Sequence, residues 1–249
     1  MQYHLETIPV WEAMEWKSAC PLCGLKHRTE EETVDRTLGA SVMEPDARIN
    51  VNRKGICAAH HAMLYARQNR LGHALLMDSH SKEQLERLRS LQKQAETAGS
   101  RKTLRLKAPA ATGKLLLNLR KLTAHCVVCE TVETHMTRYL ATFLHLWKTN
   151  DDFHAAWLAS QGVCLPHLTE LLACAPSLLN DAEQNAFAAE ALARLAAGLE
   201  ADAKDLDWFT RKFDYRNQSE PWGNSKTALE RVVNRLRGWC IGGAPAPKK

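Results

Sequence analysis

The sequence predicts an all-α fold, and three observations carry the prediction. Across 249 residues no convincing stretch of alternating β-branched residues occurs. Apolar residues recur at helical spacing in several long segments, as in Leu85, Leu88 and Leu91. Helix punctuation marks those segments: Asn150-Asp151, Asn180 with Glu183 three residues on, Gly162 and Pro166. A hydrophobic content of 45% and a charged content of 24% are ordinary for a globular chain. The length suffices for one large core or two small ones.

The first long helical pattern spans 58 to about 96, with Leu64, Leu71 and Leu75 on one face. Gly72 inside it costs about 1 kcal/mol relative to Ala. Gly99, Ser100, Pro109 and Gly113 then break the pattern and mark a basic linker over 98–114. A helix follows over 115–122, and another starts near Cys129 and carries Tyr139, Phe143, Leu146 and Trp147. Asn150 caps a short helix holding Phe153, Trp157 and Leu158, which Gly162 stops. Pro166 suits the first turn of the next helix, which ends near Pro176. Asn180 and Glu183 read as a capping box opening the longest pattern, to about Phe213, with Phe187, Leu192, Leu195, Leu199, Leu206 and Phe209 at helical spacing. After a turn-rich break at 214–223, a last helix over 225–237 places Leu229, Val232, Val233 and Leu236 inward. The tail 241–249, rich in Gly, Pro and Ala, is expected to fray.

A repeated pattern of cysteine and histidine overlies these elements. Cys20-Pro-Leu-Cys23 precedes Cys57-Ala-Ala-His60, and Cys126-Val-Val-Cys129 precedes Cys164-Leu-Pro-His167. The intervening stretches are about 33 and 34 residues long. Gly55 and Gly162 stand two residues before the later cysteine, and Leu64 and Leu171 seven residues after it. Each half supplies three thiols and one imidazole, the complement of a closed tetrahedral zinc site. The expected architecture is therefore two related helical modules, 1–97 and 115–180, each pinned by its own Cys₃His site. The C-terminal helices 181–240 pack on them. The first intervening segment is polar and the second apolar and aromatic, so the second module should hold more of the core.

Two zinc ions per chain are the expected cofactors. The same donors also suit [4Fe–4S] clusters, although these prefer four thiolates. Dithiol redox chemistry is a third reading, but it belongs in a βαβ context that this chain does not offer. His60 is the expected ligand rather than His61, because the second copy has Leu168 at the position of His61. Cys174 and Cys240 stand outside the pattern and read as free thiols. Paired cysteines meant for metal suit a reducing compartment. The opening residues lack a basic region followed by an apolar one, and no apolar run reaches about 18 residues. A cytoplasmic protein without a membrane span is the expectation.

Neither a G-x-S-x-G elbow, a phosphate-binding glycine loop nor an H-E-x-x-H helix is present, and both donor sets are complete without a water. The reading therefore leans away from an enzyme and toward a scaffold or adaptor whose partner is another protein. Net charge is +5, and the stretch 82–121 is basic, which leaves nucleic-acid binding open. A redox or electron-transfer protein is the third class. The break at 214–223 gathers Asp214, Tyr215, Arg216, Glu220 and Trp222, a possible recognition surface or a plain helix-terminating turn.

Four places carry a resemblance across nearly the whole chain: 3–11 with Cys20 and Cys23, 55–64 with Cys57 and His60, the second pair of motifs, and 213–216 with 220–223. In these the chain resembles an uncharacterised bacterial family, domain of unknown function family 6062. The resemblance implies no activity.

Overall fold

The computed structural model describes residues 4–16, 18–100 and 111–245. Among these residues it contains α-helices, short 3₁₀ turns and no strand. Most of the expected linker, residues 101–110, and the end of the tail, 246–249, lie outside the described residues. The helices are α1 (His4–Met14), α2 (Pro21–Leu38), α3 (Pro45–Lys54), α4 (Ala58–Ala66), α5 (Arg70–Ser100), α6 (Ala111–Leu122), α7 (Val127–Thr149), α8 (Asp151–Ala159), α9 (Leu165–Cys174), α10 (Asp181–Arg211) and α11 (Ala228–Arg237). None is long and apolar enough to cross a membrane.

The punctuation acts as expected at several ends. The Asn150 side chain accepts the Phe153 N–H at 2.8 Å and starts α8. At α10 both halves of the capping box form, Glu183 N–H to Asn180 at 3.0 Å and Asn180 N–H to Glu183 at 2.9 Å. Pro166 lies in the first turn of α9. Where the sequence suggested one helix over 58–96, the chain breaks between α4 and α5, with Gln68 at φ 61°. Leu76 is buried while Leu71 is exposed, so the inward face of α5 is shifted from the expected one. The polar stretch after Cys23 is also helical, as α2 and α3, with Pro45 in the first turn of α3.

The chain forms two compact units that do not follow one another in sequence. One comprises 1–28 with 134–249, the other 29–133. The first unit is built on an aromatic cluster. Phe143 packs edge-on against Phe153 (5.2 Å) and Trp157 (5.4 Å), Trp147 against Phe187 (5.3 Å), and Trp11 against Phe153 (5.2 Å). Edge-to-face pairs of this kind contribute about 0.5–1.5 kcal/mol each beyond area burial. In this unit α10 packs on α11 and both meet α9. The inward residues of α11 are Ala228 and Arg235, not the expected leucines; Leu229 and Leu236 are exposed. In the second unit α3, α4 and α6 pack on α5, and Val34, Val51, Leu64, Leu76 and Val128 are buried.

Candidate metal centres

All eight expected donors come together, in two groups of four, but the pairing crosses between the repeats. Cys20 and Cys23 meet Cys164 and His167; Cys126 and Cys129 meet Cys57 and His60. The expectation that each module closes its own site is thus corrected, and the point at which the later motif meets α2 gives the reason. Cys20 and Cys23 sit at the start of α2, eighteen residues long, which at about 1.5 Å per residue carries the chain about 27 Å away. Cys126 and Cys129 stand likewise at the start of α7, 23 residues long. The first repeat's Cys-x-x-His does return to α2, but at Glu30, seven residues or about 10 Å of helix beyond Cys23, and there it meets Cys126 and Cys129 instead.

Every motif opens a helix. The carbonyls of Cys20, Cys57, Cys126 and Cys164 accept the N–H of Gly24, His61, Glu130 and Leu168, the first hydrogen bonds of α2, α4, α7 and α9. Each first donor is thus at the N-cap and each second donor one turn on, facing the same way. Two helix N-termini converge on each group, and their partial positive charge favours thiolate. Gly55, at φ 80° and ψ −171°, occupies a region that only glycine adopts without strain, and Gly162 shares its φ of 80°. This bend turns the chain into the helix that bears the cysteine and histidine.

In the first group the four donor atoms lie within 4.8 Å of one another. His167 Nδ1 is 3.4 Å from the sulfurs of Cys20 and Cys23 and 3.1 Å from that of Cys164; Cys23 and Cys164 are 3.6 Å apart. All four residues are buried. The Trp239 N–H donates to Cys23 Sγ at 3.2 Å, and Gly238, at φ 79°, brings that backbone over the sulfurs. Burial disfavours charge on His167, but the hydrogen bonds its protonated ring donates to the Cys164 and Cys23 sulfurs outweigh it and hold its pKa up to about 10. Cys23 is held far below the ordinary thiol value, chiefly by Cys164, and Cys20 is pushed well above it by burial.

The second group repeats this geometry. His60 Nδ1 lies 3.1, 3.3 and 3.4 Å from Cys57, Cys126 and Cys129, and Cys57 is 3.9 Å from Cys129. His60 and Cys126 are buried, Cys57 is half-buried and Cys129 exposed. Burial raises the Cys57 pKa, but the His60 and Cys126 contacts outweigh it and bring it down to about 7; desolvation pushes Cys129 up to about 12. Both histidines turn Nδ1 to the sulfurs and leave Nε2 for a carboxylate: Glu30 at 2.9 Å from His60, Glu170 at 3.9 Å from His167. Glu30 is thus the hydrogen-bonded outer partner that metal-ligating histidines usually have, while Glu170 lies beyond hydrogen-bond distance of His167. Glu170, three residues after His167 on one helix, was visible in the sequence; Glu30 and Trp239 carry no local signal. His61 instead stacks on His73, Nδ1 to Nε2 2.9 Å.

The segment 214–223 belongs to the first unit and is tied down from within. Arg216 pairs with Asp214 at 2.6 Å, and the buried Lys212 ammonium donates to the carbonyls of Asn217, Gln218 and Glu220. Lys212 also lies 5.3 Å from the ring centroid of Trp222, and Trp208 donates to the Pro221 carbonyl at 3.0 Å. Tyr215 is exposed. Cys174 and Cys240 are free thiols.

Two compact Cys₃His groups able to hold a metal are therefore built by the chain's own helix starts. No curated protein and no solved structure shows significant similarity to the chain. The sequence model of one family, the family of unknown function DUF6062, matches residues 1–242, a span that contains all eight donors and the 214–223 segment, and the chain belongs to that family.

Proposed function

We propose that the protein is a cytoplasmic, zinc-binding helical scaffold whose two Cys₃His sites are structural and whose surface engages another protein. The spacing of the donors supports this most directly. With Zn–S and Zn–N bonds of about 2.3 and 2.0 Å, a tetrahedron places sulfurs about 3.8 Å apart and sulfur about 3.5 Å from nitrogen. The observed separations of 3.6 and 3.9 Å between sulfurs, and 3.1–3.4 Å to Nδ1, match one small ion per group. Donors ringing a four-iron cluster attach to different irons and lie farther apart. Four protein ligands leave no open coordination position, which favours a structural over a catalytic ion.

The face we assign to the partner is the 214–223 segment with Tyr215 outward, held by Lys212 so that little ordering is left for binding. The rival nucleic-acid reading of 82–121 is weakened because Lys82 and Arg87 already pair with Asp78 and Glu83. Elemental analysis with a visible spectrum, on protein purified without oxygen, tests the proposal. Two zinc per chain and no colour is the expected result; iron with acid-labile sulfide would overturn it.

A further inference from the structure

The two donor groups share ligand types and distances but not solvent access. In the first, all four residues are buried and the Gly238–Trp239 backbone lies over the sulfurs. In the second, Cys126 and His60 form a buried back wall, while Cys129 is exposed and Cys57 half-buried, their sulfurs 3.9 Å apart. Of the two groups, the second therefore presents two adjacent sulfurs to a small solute. The two come from different helix starts, so joining them would tie α4 to α7.

We propose that Cys57 and Cys129 are a thiol-modification site, at which a hydroperoxide oxidises the metal-bound thiolates to a disulfide and empties the second site while the first stays loaded. The proposal rests on the zinc reading above. One thiolate attacks a peroxide oxygen; the O–O bond breaks, the sulfur becomes a sulfenic acid and hydroxide leaves. The second thiolate attacks that sulfur; the S–S bond forms, the S–O bond breaks and a second hydroxide leaves. In sum, two thiolates, one hydrogen peroxide and two protons give one disulfide and two waters, with two electrons passing from sulfur to oxygen. Cys126 and His60 are then the only donors left, too few to keep zinc in a four-coordinate site. The first group undergoes the same chemistry only if its cover opens, because the oxidant must reach sulfur.

The test uses the full chain carrying Cys174→Ser and Cys240→Ser, which removes the two thiols outside the groups. Zinc content is measured first; hydrogen peroxide is then added, released zinc is followed with a chromogenic chelator, and disulfides are mapped by mass spectrometry. Loss of one of the two zinc equivalents together with a Cys57–Cys129 linkage is expected. A phosphine reductant with added zinc should restore the second equivalent. Loss of both ions together, loss from the first group, or a linkage between other cysteines would overturn the proposal. Protein with no zinc before oxidant is added overturns the zinc reading, and this proposal with it, in a separate measurement.

Discussion

Arg235 sits wholly inside its unit, its Nε 2.7 Å from Asp202 Oδ2 and its Nη1 3.0 Å from the Gln161 carbonyl. Asp202 also receives Arg231 at 2.7 Å, so one buried carboxylate answers two guanidinium groups. Removing one member of such a set strands the others, at a cost of about 3–5 kcal/mol. Arg235→Leu should lose stability in that range by urea unfolding, at the lower end because Asp202 keeps Arg231. Gly198 on α10 explains how the guanidinium fits: a Cβ there would stand 2.5 Å from Nη1. Gly198→Ala should therefore destabilise by about 1–3 kcal/mol, the cost of overpacking, although alanine is the better helix former. A Gly198→Ala variant as stable as the parent would show that this packing is not required. Apolar periodicity missed Arg235 because it registers leucines, whereas what buries this face is a charge pair whose partner lies 33 residues away.

At the level of elements, capping decides where the long helix starts. Asn180→Ala removes the side-chain acceptor for the Glu183 N–H and should cost about 1 kcal/mol, read from thermal or urea unfolding. Glu183 has a carboxyl pKa below its ordinary 4.5 because the Asn180 N–H and then Lys148 favour its charged form. A lowered folded pKa contributes stability that is present above the ordinary value and is lost as pH falls through the lowered one. The stability gap between the parent and Glu183→Gln should accordingly be open at neutral pH and close in acid; a gap that widened in acid would contradict this. The capping box, Asn150 and Pro166 were legible because a helix start is settled by residues within one turn. The break at Gln68 carried one such signal, Asn69, whose side chain accepts the Gly72 N–H at 2.9 Å, but the apolar pattern runs through it, no Gly or Pro marks it, and a non-glycine residue takes the positive φ. The helical nature of the polar stretch after Cys23 was equally hidden, because its inward residues answer to partners remote in sequence.

For the whole molecule, crossed pairing makes a sharp stoichiometric prediction. Cys20→Ser with Cys164→Ser damages one group twice and should leave one zinc per chain by elemental analysis; Cys20→Ser with Cys57→Ser damages both groups and should leave none. Pairing within repeats would reverse the two results. That these eight side chains gather into two groups of three thiols and one imidazole, with His60 and not His61 among them, was legible from residue type and spacing alone. Their partnership was not, because the two repeats offer chemically equivalent halves and local spacing cannot say which halves meet. The pairing also sets an order on the growing polypeptide. Its two closures are nested like brackets: the inner one joins residues 66–72 positions apart and the outer one residues 141–147 apart. A chain made from its N-terminus exposes Cys20 and Cys23 first yet must wait for Cys164 and His167 to complete them, while the inner set is finished earlier. The earliest thiols to appear are thus the last to be satisfied, and the outer bracket records that the molecule has been made through His167.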